Sequence, residues 1–248
     1  MPSGEDEAIC IRHWDFSETS QTVGLFSRRR GMIRAIAKGA RRERGGHSGG
    51  VDLLTRGSMT VSMREGSDLA TLTMWDLLEV FSGIRQDMTA NRMAFYGADL
   101  VGRFFQPLDP HERAYDALVA LLRSLGSKRL STIDQEVLLL TFQWVILQEA
   151  GYQPRLGVPE AGAEVLHFEP REGGTIVDRE SATSWKVRPT TIDLLRGLGD
   201  GTVSVATPAG CDGVTRANRL LAAFLREILG EEPFTMRNLF GDLQTRTS

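Results

Sequence analysis

The stretch SRRRGMIRAIAKGARRER, residues 27–44, decides how the rest of the chain is interpreted. It contains one acid and eight cations, which are Arg28, Arg29, Arg30, Arg34, Lys38, Arg41, Arg42 and Arg44. The whole chain has a formal net charge of −3, so this positive charge is a local feature. Cations gathered in this way suit a polyanion, because each neutralised phosphate releases a condensed counterion. The stretch therefore predicts a polyanion-binding surface.

The middle of this stretch has the pattern of a half-buried strand. The Arg30-Gly31 step is a turn signal and Gly39 ends the run. We expect Arg34 and Lys38 to point outward from the strand between them. The alternation of inward and outward positions along this strand is only loose. One group of residues, Met32, Ala35 and Ala37, is out of phase with a second group, Ile33, Arg34, Ile36 and Lys38.

A glycine-rich loop, Gly45–Gly50, follows the basic stretch. A basic strand that continues into a basic, flexible loop suits a groove that follows a nucleic-acid backbone. The alternative is a solvated surface strand whose charged edge prevents aggregation. The stretch alone leaves both interpretations open.

The N-terminal third of the chain has the period of β-structure. Six short strands separated by turn residues favour a small Greek-key barrel, and an OB-fold fits this size and strand number. The predicted strands are 7–12, 21–26, the basic strand, 51–54, 58–63 and 69–74.

The period becomes helical from Ile84 onward. A first helix ends by Pro107, and a second, with Asp109 as its N-cap, runs to Leu125. A capping box at Ser131 opens a third, largely apolar helix over 135–150. The remaining predicted elements are a hairpin of 165–168 with 174–177, helices over 190–198 and 213–229, and a last turn within 232–243.

These elements predict an α+β chain of several domains, an N-terminal OB-fold barrel followed by a helical domain with a small β-hairpin insertion. The predicted parts are 1–80 for the barrel, 81–151 for the helical domain, 152–189 for the hairpin insertion and 190–248 for the C-terminal helices.

Signatures of catalysis and of metal binding are missing from the sequence. It has no GxxxxGK[ST] phosphate loop, no HExxH and no GxSxG, and its four histidines are far apart. The two cysteines, Cys10 and Cys211, cannot build a zinc site, and Cys10 is expected to pack in the core. No apolar run approaches the roughly 20 residues of a membrane span. We therefore expect a cytoplasmic binding protein without a cofactor, not an enzyme.

The order of landmarks in the chain resembles the RecO recombination mediators of bacteria. The most specific segment is AICIRHWDFSETSQTVGLFSRRRGMIRAIAKGARR, residues 8–42, with its Glu18-Thr19, Arg30-Gly31 and KGARR steps. LATLTMWDLLEVFSGIRQDM at 69–88 is similar to the family's passage from barrel to helices. FEPREGG at 168–174 and LREILGEEPFTMRNLF at 225–240 resemble its C-terminal motifs.

The resemblance implies an N-terminal OB-fold, a helical domain and a C-terminal region that often carries a four-cysteine zinc site. The matching positions, 157–160 and 178–181, hold no cysteine, so zinc is not expected here. RecO proteins bind single- and double-stranded DNA, anneal complementary strands, join RecR, contact the tail of the single-strand-binding protein (SSB), and help load RecA on SSB-coated DNA. The resemblance thus implies a non-catalytic, nucleoid-associated DNA repair protein.

The basic stretch is where the resemblance and the residues agree. We expect DNA contacts from Arg34, Lys38, Arg41 and Arg42, with Arg28, Arg29, Arg30 and Arg44 as supporting cations. Trp14 and Phe16 either stack on bases or pack within a turn. Cations for the SSB tail are available in composition only, at Arg92, Arg103, Arg113 and Arg123. The alternatives are an adaptor whose basic strand docks an acidic protein, and an unrecognised metal-dependent nuclease.

Overall fold

The computed structural model describes residues 5–15, 20–38, 51–64, 66–127, 130–159, 164–176, 183–199 and 210–243. The chain divides into two compact units, residues 1–128 and 129–248. The first unit holds the barrel together with two helices, and the second holds the remaining helices and a small sheet. The four-part division predicted from the sequence remains a prediction.

Five strands of the first unit form a closed barrel in the order β1-β2-β3-β5-β4. Neighbouring strands are antiparallel except for β3 and β5, which are parallel. The strands are β1 (Asp6–Asp15), β2 (Gln21–Ser27), β3 (Gly31–Ala37), β4 (Thr55–Ser62) and β5 (Ala70–Val80). This five-stranded barrel is of the OB type. With the helices and small sheet that follow it, it confirms the predicted α+β class.

One predicted strand is absent from the barrel. Residues 51–54 form a turn and not a strand, and the N–H of Leu54 donates to the carbonyl of Cys10 at 2.8 Å. Leu54 adopts the left-handed conformation, with φ 56°. Val51 is buried in the barrel core, so its apolar character reflects core packing by a loop and not strand pairing. The predicted fourth and fifth strands are therefore replaced by the single strand β4.

The basic strand β3 alternates strictly. Ile33, Ala35 and Ala37 are buried in the barrel core, whereas Arg34 between them is exposed. The looser grouping expected from the sequence, which placed Ile33 in phase with Arg34, is wrong, because a strand sends successive side chains to opposite faces. The outward positions of Arg34 and of Lys38, which is also exposed, are confirmed.

Cys10 lies in β1 and is fully buried in the barrel core. Burial raises the pKa of its thiol to about 12, because a thiolate would lose its hydration there. A thiol that stays protonated is a poor nucleophile and a poor metal ligand. The expectation that Cys10 packs in the core is confirmed.

Two helices complete the first unit, α1 (Met88–Phe104) and α2 (Glu112–Leu125). A short 3-10 helix, Ser82–Gln86, precedes α1. The carboxylate of Asp87 caps α1 by accepting from the N–H groups of Thr89 and Ala90. Phe26, on the outer face of β2, packs between rings of this helical layer, 5.9 Å from the ring centroids of both Phe105 and Tyr115. The layer thus covers the outer face of β2 around Phe26.

The start of α2 differs from its prediction. The N-cap residue is His111 and not Asp109, and it makes no side-chain capping bond. The preceding residue Leu108 is left-handed, with φ 60°, and its N–H donates to the carbonyl of Met32 at 3.1 Å. This bond ties the segment to β3 and delays the helix. Gly31 permits the close approach, since a Cβ there would lie 2.0 Å from the carbonyl oxygen of Asp109.

The second unit pairs a helical layer with a small sheet. Its elements are α3 (Thr132–Glu149), β6 (Leu166–Glu169), β7 (Gly174–Ile176), β8 (Trp185–Val187), α4 (Pro189–Gly199), α5 (Gly210–Leu229) and α6 (Phe234–Phe240). The predicted capping box at Ser131 is confirmed. The sheet has the order β7-β6-β8, so a third strand, β8, pairs with the predicted hairpin. The sequence did not predict β8, because a strand of three residues is too short to show a pattern.

Helices α3 and α5 meet at a buried polar pair. The amide of Gln143 donates to the side-chain oxygen of Asn218 at 2.7 Å, and both residues are fully buried. Asn218 in turn donates to the carboxylate of Glu136 at 2.6 Å. A buried amide is costly unless it is paired, so this arrangement fixes the register of the two helices.

Candidate nucleic-acid interface

The outer face of the β1-β2-β3 sheet presents two arginines in one lateral row. Arg12 on β1 is opposite Gly24 on β2, and Gly24 is opposite Arg34 on β3. Gly24 has no side chain, so the two arginines flank a notch in the sheet surface. The sequence could not place this row, because a bulge between Cys10 and Arg12 shifts the register of β1.

Within the described residues, no acid compensates the positive charge of Arg34. It is exposed, and no carboxylate among the described residues forms an ion pair with it. Lys38, four residues further on, is exposed and likewise has no ion-pair partner in the described parts of the chain. Both cations are therefore accessible to an external anion, as the sequence predicted for a polyanion-binding strand.

Trp14 lies beside Arg34 on this face. The guanidinium carbon of Arg34 is 6.0 Å from the centroid of the indole ring, at the limit of a cation–π contact. Trp14 lies in strand β1 and is 48% exposed, so it is not the packed turn residue of the alternative interpretation. Phe16, the second aromatic predicted to stack or pack, lies outside the described residues.

The three arginines in the turn between β2 and β3 differ in their contacts. Arg28 forms ion pairs with Glu112 and Asp116, each at 3.0 Å. The hydrogen bond and charge of Asp116, followed by Glu112, raise the pKa of the Arg28 guanidinium further above its ordinary value. Two carboxylates on α2 thus compensate the charge of Arg28 within the first unit.

The two neighbours of Arg28 are held through their backbone. The N–H of Arg29 donates to the carboxylate of Asp6 at 3.2 Å, and that of Arg30 to the hydroxyl of Ser27 at the same distance. Ser27 also donates to Asp6, and both residues are buried. The side chain of Arg29 is exposed, whereas that of Arg30 is half-buried. The remaining predicted contacts, Arg41, Arg42 and Arg44, and the Gly45–Gly50 loop lie outside the described residues.

A groove of about 350 Å³ opens beside Arg34. Its lining is largely apolar and comes from β1, β2 and β3, from the segment between β4 and β5, and from the end of α1 with the residues that follow it. The lining residues are Arg12, Trp14, Gly24, Met32, Ile33, Arg34, Met63, Asp68, Gly102, Pro107 and Leu108. Of these, sequence reasoning identified only Trp14 and Arg34, because the others are brought together by strand pairing, by the β4–β5 segment and by the α1–α2 region. Arg12 is already paired with Asp99, at 2.9 Å.

Two further cations, Arg56 and Arg123, lie on the β4 and β5 side of the barrel and form ion pairs. Arg56 contacts Glu7 at 2.7 Å and Glu79 at 3.1 Å, and Arg123 contacts Glu79 at 2.7 Å. The hydrogen bond from Arg123 lowers the pKa of Glu79, burial opposes this, and Arg56 adds to the lowering. We call these four residues the ion-pair cluster. Of the cations considered for the SSB tail, Arg123 is in this cluster and Arg103 is paired with Asp99 at 3.0 Å.

The small sheet of the second unit does not match the four-cysteine zinc site that is common in the family that the sequence resembles. Phe168 on β6 is fully buried, stacked on Trp185 at 5.7 Å and edge-on to Phe224 at 5.3 Å. Among the described residues, no group of three or more potential ligands is placed to hold a metal ion. Residues 178–181, one of the two predicted ligand segments, lie outside them. Aromatic packing stabilises this sheet where thiolates are lacking.

Comparison with models of known protein families assigns the chain to one of them. The model for the N-terminal region of recombination protein O matches residues 1–81, and the model for its C-terminal region matches residues 85–237. The chain belongs to the RecO family. A DNA repair protein RecO from Anaeromyxobacter dehalogenans (strain 2CP-C) is 29% identical over 233 residues, covering 90% of each chain. One from Roseiflexus sp. (strain RS-1) is 28% identical over 237 residues, covering 92% of this chain and 81% of its own.

Membership in the RecO family confirms a role in DNA repair and recombination. RecO proteins are repair mediators and not enzymes, which confirms the expectation of a non-catalytic protein. Among the described helices of this RecO-family chain, none has both the length and the apolar character that a bilayer crossing requires.

Proposed function

We propose that this RecO-family chain binds single- and double-stranded DNA through the outer face of β3. Arg34 and Lys38 make the principal phosphate contacts, and Arg29 extends the surface at the turn. The observation that carries the proposal is the difference in pairing between these exposed cations and the compensated Arg28. Arg41, Arg42 and Arg44 follow directly in sequence and continue the basic track.

In the cell, this DNA-binding surface serves a recombination mediator in the cytoplasm, associated with the nucleoid. The chain anneals complementary strands and, with RecR, helps load RecA on DNA coated by SSB, whose acidic tail it contacts. Backbone contacts of this kind position a protein without specifying a sequence, which suits a mediator that acts on any damaged site. Binding is therefore expected to be tolerant of sequence and sensitive to salt.

Fluorescence anisotropy of a labelled single strand across a salt series tests the proposal. If about five phosphates are neutralised, log K falls with log salt at a slope of roughly −3.5. In Arg34→Glu/Lys38→Glu, the loss of two contacts makes this slope shallower by about 1.4. A matched control with the same charge change, Lys186→Glu/Arg237→Glu, alters exposed cations of the second unit and should retain the wild-type slope.

Two outcomes separate this proposal from its alternatives. Absence of binding at low salt contradicts it and favours an adaptor that docks an acidic protein. Equal loss of binding in both double variants also contradicts it, because the effect is then one of net charge and not of the β3 surface. Annealing of two complementary strands by wild type, weakened in Arg34→Glu/Lys38→Glu, supports the mediator role.

A further inference from the structure

The groove beside Arg34 depends on two glycines. A Cβ on Gly24 would lie 3.3 Å from the Cβ of Arg12, and one on Gly102 would lie 3.4 Å from a terminal nitrogen of Arg12. The distance at Gly24 is shorter than ordinary van der Waals contact, and at Gly102 the Cδ1 of Ile11 is equally close, at 3.3 Å. A side chain at either position would therefore narrow the groove, at Gly24 against Arg12 and at Gly102 against Ile11 and Arg12.

One rim of the groove is formed by a residue in an unfavourable conformation. Leu108 has a φ of 60°, which is rare for a residue other than glycine, and it remains 40% exposed. Its backbone bond to Met32 holds it there. Residues held in this region of φ and ψ cluster at binding sites, where the surrounding structure maintains the strain. The exposed indole of Trp14 also lines the groove.

The lining suits a flat, neutral ring and not a phosphate. It is largely apolar, it contains the acid Asp68, and one of its two arginines, Arg12, is already paired with Asp99. The unpaired Arg34 stands at its edge beside Trp14. An anion next to a planar group is therefore the ligand that complements this surface. Its volume of about 350 Å³ lies within the range of roughly 300–1,000 Å³ of small-ligand sites.

We propose that the Trp14–Gly24–Leu108 groove accepts one unpaired nucleobase of a DNA single strand. The base stacks beside Trp14, and the phosphate that adjoins it lies on Arg34. This inference rests on the proposed DNA-binding function and deepens it. The bases of a duplex are stacked and paired, so they cannot enter the groove, whereas duplex phosphates still reach Arg34 and Lys38. The groove thus makes the barrel prefer single strands.

Binding of an oligothymidine, compared with an abasic oligomer of the same length, tests this directly. Both carry the same phosphates, but only the first has bases. Trp14→Leu should bind the oligothymidine roughly tenfold more weakly than wild type and change binding of the abasic oligomer less than about twofold. Phe234→Leu removes a more exposed aromatic ring, in α6 of the second unit, and should change neither.

A second variant keeps the charge and the indole. Gly24→Ala should selectively weaken oligothymidine binding, because its Cβ narrows the groove. Thermal melting of each variant verifies folding, and Trp14 is exposed enough for its replacement to leave the core intact. In wild type, irradiation of an oligomer that contains 5-iododeoxyuridine should crosslink the peptide that contains Trp14.

The outcomes distinguish the groove from the basic surface. If Trp14→Leu and Gly24→Ala leave oligothymidine binding unchanged, or weaken both oligomers equally, the base-binding groove is contradicted. In that case an effect of Arg34→Glu/Lys38→Glu on both oligomers still supports the proposed function. If neither oligomer binds wild type at low salt, the proposed function itself fails.

Discussion

Arg34 and Arg56 lie on the same barrel, and they differ in the carboxylates within their reach. Arg56 is half-buried and contacts both Glu7 and Glu79, whereas Arg34 is exposed and has the ring of Trp14 beside it, with 6.0 Å between its guanidinium carbon and the ring centroid. Two cations and two acids of the ion-pair cluster cancel each other, so that cluster joins β1, β4, β5 and α2 without attracting an external anion. On β3 the charge remains available. The pairing of cations, more than their number, therefore separates a structural from a binding surface.

The first prediction concerns the structural side of this comparison. In Arg56→Met, Glu7 and Glu79 lose their shared partner in a half-buried site, and we expect the free energy of unfolding to fall by about 1–2 kcal/mol. Urea denaturation measures this loss. Affinity for a single strand should remain that of wild type.

Arg123→Met is the matched control for Arg56→Met. It removes the more exposed cation of the cluster, whose side chain is 56% accessible, so its effect on stability should be smaller. The division into structural and binding cations is contradicted if Arg56→Met leaves the free energy of unfolding unchanged. It is also contradicted if this variant remains folded but binds DNA more weakly.

The ion-pair cluster also predicts a dependence of stability on pH. Because Arg123 lowers the pKa of Glu79 in the folded chain, this carboxylate contributes stability above its unfolded pKa of roughly 4.3. That contribution is lost as the pH falls through the lower, folded pKa. The urea midpoint should therefore drop on acidification, and Glu79→Gln should show a smaller drop than wild type.

The matched variant for this measurement is Asp76→Asn, which removes an exposed carboxylate from the same strand. It should retain the acid sensitivity of wild type. If Glu79→Gln and Asp76→Asn behave alike, the cluster does not set the pH dependence.

Local pattern was enough to predict much of the barrel and its basic strand. The positions of β1, β2 and β3, the outward direction of Arg34 and the capping box at Ser131 all depend on residues close in sequence. Propensity and alternation report such features directly. The apolar turn before β4 was mistaken for a strand, because burial of Val51 in a loop produces the same composition.

The pairing of charges could not be predicted in this way. The carboxylate of Asp116 that engages Arg28 lies 88 residues later in the chain. The row of Arg12, Gly24 and Arg34 depends on the register of two strand pairs and on one bulge. The sequence already ranked Arg34 above Arg28 as a DNA contact, but only the tertiary structure shows that carboxylates on α2 compensate the charge of Arg28.

The salt dependence of single-strand binding by Arg28→Ala and Arg34→Ala tests the central claim most directly. Each variant removes one charge from the same basic stretch, so net charge is matched. We predict that Arg34→Ala makes the slope of log K against log salt shallower by about 0.7, the value of one phosphate contact, and that Arg28→Ala leaves it unchanged. Equal slopes in the two variants, or a greater loss in Arg28→Ala, would contradict the account.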